Sequence, residues 1–263
     1  MIAYYALGSG LGHATRARRV LDALGIGDAV IVAAVADERV TGRYRVVDSL
    51  RGLKPERIIA DAFPLGLFGE LAEVDVPLDY VARLLRWDEY RRCVPHPLPR
   101  FGTTYVVEPV THEVPCERVV DLTGSAGVLA GWTGGVPPPP RRDGAQPAVE
   151  TTALRYWLVV HSGPEEEVRE LVAYAEELQR IERDSTPIVV VSQCGIGIDL
   201  VPASGLFAHA ARIISAAGFN VMLETEPYRD RHHVVPMPRR FDDQFARAAR
   251  RRYDSSSRIC AAR

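Results

Sequence analysis

His13 closes the run GSGLGH, residues 8–13, in which Gly8, Gly10 and Gly12 follow directly on an apolar stretch. A histidine in such a turn could act as a general base on a hydroxyl near neutral pH. Read alone, it could equally be a helix-start residue that hydrogen-bonds its own loop. Arg16, one turn further on, could hold an anionic or hydroxyl-rich group, or lie on a solvated helix face. The loop lacks the Lys-Ser/Thr ending of a P-loop. It also fails as a dinucleotide fingerprint, because His13 stands where the third glycine would be. A second candidate is Asp61, which opens DAFPLGLFGEL, residues 61–71. Its carboxylate could orient His13 or bind a hydroxyl, or it could cap a turn.

These residues need elements to carry them. Ile2 to Leu7 reads as a strand, and Thr15 to Leu24 as a helix with Ala17, Val20, Leu21 and Leu24 on one face. Ala29 to Ala36 is continuously apolar, as in a strand covered on both faces. Further strands are expected from Arg57, over Tyr105–Val110 and over Arg118–Val120. Residues 133–147, TGGVPPPPRRDGAQP, cannot continue a helix or a central strand and read as a stiff spacer. The pattern then restarts: a strand over Tyr156–His161, a helix over Glu165–Arg183, a strand over Pro187–Ser192, a helix near Gly205–Ala211, a strand over Arg212–Ser215, a helix from Gly218, a strand over His233–Met237 and a helix over Phe241–Arg252. The end, RRRYDSSSRICAAR, reads as a fraying tail. Repeated βα units of this kind predict an α/β chain built on parallel sheets. The expected domains are 1–135 and 153–263, joined by a linker over 136–152.

GSGLGHATR resembles the first loop of the GT-B glycosyltransferase superfamily. It is nearest to a bacterial branch related to the lipid-linked N-acetylglucosamine transferase of peptidoglycan synthesis, and DAFPLGLFGEL resembles the same branch. The resemblance covers both ends of the chain but not residues 72–155. It implies two Rossmann-like parallel-sheet domains facing a central cleft, in a shortened GT-B-like form. It also implies metal-independent transfer of a sugar from a nucleotide-sugar, UDP-linked for example, to a hydroxyl acceptor. His13 would then be the base, assisted by Asp61, with Gly10, Gly12 and Arg16 on the acceptor side. HSGP, residues 161–164, resembles the loop that meets the donor's phosphates, through Ser162 and Gly163. IISAAGFNVMLE, residues 213–224, resembles the donor-binding helix start. There Ser215, Ala216 and Gly218 would meet the diphosphate, and Glu224 the ribose. Asp243 and Gln244 resemble the pair that reads the donor sugar.

The totals bound the partners. The chain has 263 residues, 47% of them hydrophobic and 25% charged, with a formal net charge of −2. That is an ordinary globular composition without a global attraction to nucleic acid or an anionic membrane. Cys93, Cys116, Cys194 and Cys260 have no metal-ligand spacing and fit reduced thiols in a cytoplasmic protein. The start is a poor signal peptide, and no apolar run approaches a membrane span. No cofactor and no metal are expected. A dimer and peripheral membrane contact stay open, as do two other readings on the same fold: a nucleotide-sugar-binding protein without catalysis, and a nucleotide-sugar epimerase.

Overall fold

The structure, a computed structural model, describes residues 1–8, 10–123 and 155–261. The linker expected over 136–152 lies outside them, as does Ser9 of the glycine loop. By their contacts the described residues fall into two units. One holds those within Met1–Gly131, Ala217–Leu223 and Pro236–Arg263, the other those within Trp132–Ala216 and Glu224–Val235. The sequence reading kept 153–263 together, whereas contacts group 217–223 and 236–263 with the N-terminal residues.

The first unit is a seven-stranded parallel sheet with β1 (Ile2–Tyr5), β2 (Ala29–Val32), β3 (Arg45–Val47), β4 (Arg57–Asp61), β5 (Leu78–Ala82), β6 (Phe101–Val106) and β7 (Cys116–Asp121). Their order is β3-β2-β1-β4-β5-β6-β7. Helix α1 (Gly12–Ala23) links β1 to β2, the single turn α2 (Glu38–Thr41) precedes β3, and α3 (Trp87–Cys93) precedes β6. Successive residues of a strand point to opposite faces, and here both faces are covered. Tyr4, Ile31, Ile59 and Val81 pack with Val20 and Leu21 on one side. Ala3, Tyr5, Ile58, Ala60, Tyr80 and Phe101 pack together on the other. Beyond the C-terminal ends of β4 and β5, a third cluster joins Ala62, Phe63, Leu65, Leu85, Tyr90 and Phe241. Its Phe63 packs against the site described below.

The second unit is a four-stranded parallel sheet with β8 (Tyr156–Val160), β9 (Ile188–Val191), β10 (Ala210–Ala216) and β11 (His232–Val235), ordered β11-β10-β8-β9. Helix α4 (Glu165–Glu182) buries Val168, Leu171 and Ala175, one stripe at helical spacing. The helix expected near Gly205 is a 3-10 segment, Ser204–His209. The chain is therefore α/β, with one seven-stranded and one four-stranded parallel sheet.

A 3-10 segment, Glu226–Arg231, and two α-helices are also described. The short α5 (Phe219–Glu224) buries Phe219 in the first unit's core. The last helix, α6 (Gln244–Ala261), corrects the expected fraying tail: it continues to Ala261. Residues 244–261 contain neither glycine nor proline, so nothing in the local sequence stops the helix. Among the described residues, no helix is long and apolar enough to cross a membrane.

Candidate functional site

Strands β1 and β4 lie side by side, yet the chain leaves β1 toward β2 and β3 on one side and leaves β4 toward β5, β6 and β7 on the other. Where strand order reverses in an open parallel sheet, the connections diverge and leave a crevice at the C-terminal strand ends. Asp61 is the last residue of β4, and His13 stands in the first turn of α1, which follows β1. The two meet there: His13 Nδ1 lies 2.7 Å from Asp61 Oδ2.

Asp61 is fully buried. A buried carboxylate persists only if its lone pairs are taken up. Tyr4 Oη donates to Oδ1 at 3.1 Å, Arg16 Nε donates to the same oxygen at 2.6 Å, and Arg16 Nη2 donates to Oδ2. Burial alone would raise the Asp61 pKa. The Arg16 guanidinium and His13 more than offset it and hold the carboxyl well below the usual carboxylate range. Asp61 is therefore ionised and can only accept.

That fixes the imidazole. A hydrogen bond to an ionised carboxylate requires a proton on Nδ1, so Nε2 carries the lone pair. Arg16 Nη2 also lies 3.1 Å from Nδ1, but an arginine only donates, so its proton belongs to Asp61. Burial pushes the His13 pKa below 6.5; Asp61 opposes this, while the charges of Arg16 and Arg83 reinforce it. His13 is thus a neutral base with its reactive nitrogen defined. Its ring stacks on Phe63 at 5.7 Å between centroids. Its other edge explains a glycine: a Cβ at Gly8 would stand 2.4 Å from Nε2.

The solvated face weighed for Arg16 does not exist. The residue is only 2% exposed and is spent on Asp61, and its guanidinium lies 5.3 Å from the Phe219 ring centroid. Gly10 lies in the loop, and Gly12 is the first helical residue, its carbonyl accepting from Asn220 Nδ2 at 2.9 Å.

Next along the same edge stands a second ionic group that the sequence reading missed. Arg247 on α6 donates to both oxygens of Glu108, at 2.8 and 2.7 Å, to Asp242 Oδ1 at 2.8 Å and to the Ala217 carbonyl at 2.9 Å. Glu108 follows β6 and also accepts from the Leu84 amide at 2.9 Å. Arg83, directly after β5, pairs with Asp242 at 3.2 Å. Burial works against an ionised Asp242, but Arg83 and Arg247 hold its carboxyl well below the ordinary range. Recognising Leu78–Ala82 as a strand would have placed Arg83 at this edge; nothing local marks Arg247.

The residues expected to meet a donor divide between the units. In the second, Ser162 is exposed in the loop after β8, and Gly163 lies beside a pair closed by His161 Nε2 and Glu167 Oε2 at 2.6 Å. A Cβ at Gly163 would meet that Nε2 at 2.3 Å. Three glutamates, Glu165 to Glu167, fill the first turn of α4. Ser215 is fully buried: its hydroxyl donates to the Ala216 carbonyl at 2.9 Å and bonds His232 Nε2 at 2.8 Å, while Thr225 bonds His232 Nδ1 at 2.8 Å. Ala216 is buried and Glu224 half-buried. In the first unit Gly218 precedes α5. Asp243 caps α6, its Oδ1 accepting from the Ala246 amide at 2.9 Å, and Gln244 is buried with Oε1 on the Met237 amide at 3.0 Å.

Hence His13, Asp61 and Arg16 come together in one cluster, whereas Ser215, Asp243 and Gln244 use their side chains to hold the fold. No group of three or more His, Cys, Asp or Glu that could hold a metal ion occurs among the described residues. The chain matches no protein-family model and no curated protein sequence.

Proposed function

We propose that the chain transfers a sugar from a nucleotide-sugar donor to a hydroxyl acceptor, with the first unit supplying the acceptor side and the base. One observation carries the reading. A neutral histidine, its tautomer set by a buried ionised aspartate, stands at the point of the sheet where strand order reverses. In the transfer step His13 Nε2 takes the acceptor's hydroxyl proton. The oxygen bonds to the anomeric carbon as the bond to the diphosphate breaks, and the nucleoside diphosphate leaves. Asp61 stabilises the imidazolium that forms, and Arg16 keeps Asp61 ionised throughout.

Within the first unit, donor recognition in this reading falls to the main-chain groups at Gly218. A cytoplasmic protein working without metal or resident cofactor belongs to the same proposal. An epimerase would need a carboxyl able to exchange a proton. Asp61 and Asp242 are each held ionised by arginine, which argues for transfer instead.

The experiment is release of nucleoside diphosphate across a panel of donors, with simple glycosides and lipid-linked sugars as acceptors. His13→Ala should lower the rate about 10²–10⁴-fold, the usual worth of a general base, and leave nucleotide-sugar binding intact. Donors that bind but never turn over would leave a binding protein without transfer.

A further inference from the structure

Arg83 is left over once the ion pairs of the first unit are drawn. It is 5% exposed. A guanidinium brings five N–H donors and is always charged, so burying it requires acceptors. Arg16 has both oxygens of Asp61, and Arg247 has both oxygens of Glu108, one of Asp242 and a carbonyl. Arg83 has a single ion contact, 3.2 Å to Asp242 Oδ1, the oxygen that Arg247 already holds at 2.8 Å. Its Nε is buried and meets no partner among the described residues. Native proteins seldom leave a buried donor in this state unless something else fills the place.

Position says what that is. Arg83 follows β5, the neighbour of β4, so it stands at the same strand ends as Asp61. Its charge is felt at His13, and the like charges of Arg16 and Arg247 press on it in turn. Three buried guanidiniums thus share an edge with three carboxylates, and one guanidinium has only a shared acceptor and an unpartnered Nε among the described residues. An oxyanion fits that deficit: it supplies paired acceptor oxygens in the geometry of the arginine fork.

We propose that Arg83 is an anion-binding residue that receives a phosphate group of the substrate beside His13. The inference rests on the preceding reading only in placing substrate at His13; it requires no sugar transfer. A phosphate held there would face the imidazole and favour the charge His13 gains when it takes a proton.

The test is a titration of the full chain with pyrophosphate, with inorganic phosphate and acetate as separate arms. The imidazole of His13 is followed by NMR and assigned with His13→Ala. Pyrophosphate should shift the His13 signals saturably and raise Tm, phosphate should do so at higher concentration, and acetate at comparable concentration should not. Arg83→Gln should weaken the apparent affinity at least tenfold, as loss of the charged fork removes the principal contact. Arg83→Lys keeps the charge but not the fork and should weaken it severalfold, which serves if the glutamine variant does not fold. Silence at His13 in the unaltered chain, equal affinity in both variants, or acetate acting as well as pyrophosphate would overturn the assignment. Pyrophosphate binding through Arg83 without nucleoside diphosphate release from any donor would remove sugar transfer alone. Release with no anion response would remove this inference alone.

Discussion

Each sheet carries a histidine–carboxylate pair in the turn after a strand, and in each a glycine makes room for the ring. The pairs are built differently. His13 and Asp61 are 48 positions apart and come from different βα units, and Asp61 is fully buried with an arginine and a tyrosine on it. His161 and Glu167 are six positions apart, and the glutamate belongs to the first turn of the helix that its own loop enters. A local pair can form as soon as its turn forms. The distant pair exists only when β1 and β4 are side by side, and it leaves an ionised carboxylate in the interior. Burying charge at that expense serves little in a turn, but it defines a base. The difference separates a place where charge has been gathered from one where a loop has been closed.

The sharpest way to break this contrast is to neutralise each carboxylate. Asp61→Asn leaves Arg16 buried without its counter-charge. It should cost about 3–5 kcal/mol in urea unfolding and, through the wrong tautomer of His13, lower turnover about 10³–10⁴-fold. Glu167→Gln acts on a local pair whose side chains are 10% and 18% exposed and should cost about 1–3 kcal/mol. Similar losses in the two variants would show that the pairs do the same work.

A smaller effect follows from the glycines. Gly8→Ala places a methyl 2.4 Å from His13 Nε2, and the ring, held by Asp61 and Phe63, must move. A displacement of that order should lower turnover about 10²-fold. Gly163→Ala meets His161 and Glu167 at 2.3 and 2.8 Å and should open their hydrogen bond at a cost of about 1–3 kcal/mol, with little effect on chemistry at His13. Kinetics and unfolding measured on both variants separate the outcomes.

How much of this could be read from sequence depended on whether a residue announced its own position. His13 and Asp61 did, because each sits where an apolar run gives way to glycine or proline, and a strand end in a parallel sheet has one place to be. Arg16 did not. Helix α1 buries His13, Arg16 and Arg19 along with Val20 and Leu21, so its apolar stripe marks the helix but not the polar residues on its inner face. Strand β5 was hidden by Asp79, a buried acid inside an apolar run, whose oxygens take the Thr103 amide at 2.7 Å and Arg57 at 2.9 Å. The Arg247–Glu108 pair spans 139 positions, a distance over which no local pattern operates. Asp79, Glu108 and Arg247, the residues missed, are charges satisfied through tertiary structure. Among the residues expected to meet a donor, Asp243 makes an ordinary helix cap that local pattern explains.

The last expected effect concerns acid, and it falls on the first sheet's edge. Tyr80 donates to the carbonyl of Ala62, the residue after Asp61, at 3.0 Å, so His112 Nε2, 3.0 Å from the same hydroxyl, must be the donor to it. His112 Nδ1 is then a bare lone pair, buried and without a partner among the described residues. Burial pulls the His112 pKa from 6.5 down to about 4. A folded pKa below the unfolded one means that the unfolded chain binds the extra proton between those values. Stability from this group is therefore complete above pH 6.5 and declines as the pH falls toward 4, with a slope of about 1.4 kcal/mol per pH unit. His13, whose pKa is also lowered by burial, adds in the same direction. The first unit should lose amide-exchange protection before the second as the pH is lowered from 7 to about 4.5, because its edge must accept protons with nowhere to put them. His112→Asn should flatten that slope by one proton's worth while lowering stability at neutral pH through loss of the stacking on Trp87, at 4.2 Å between centroids. An unchanged slope in this variant would place the acid-sensitive group elsewhere. Earlier loss in the second unit would mean that its local pairs, and not the buried edge of the first, limit the molecule in acid.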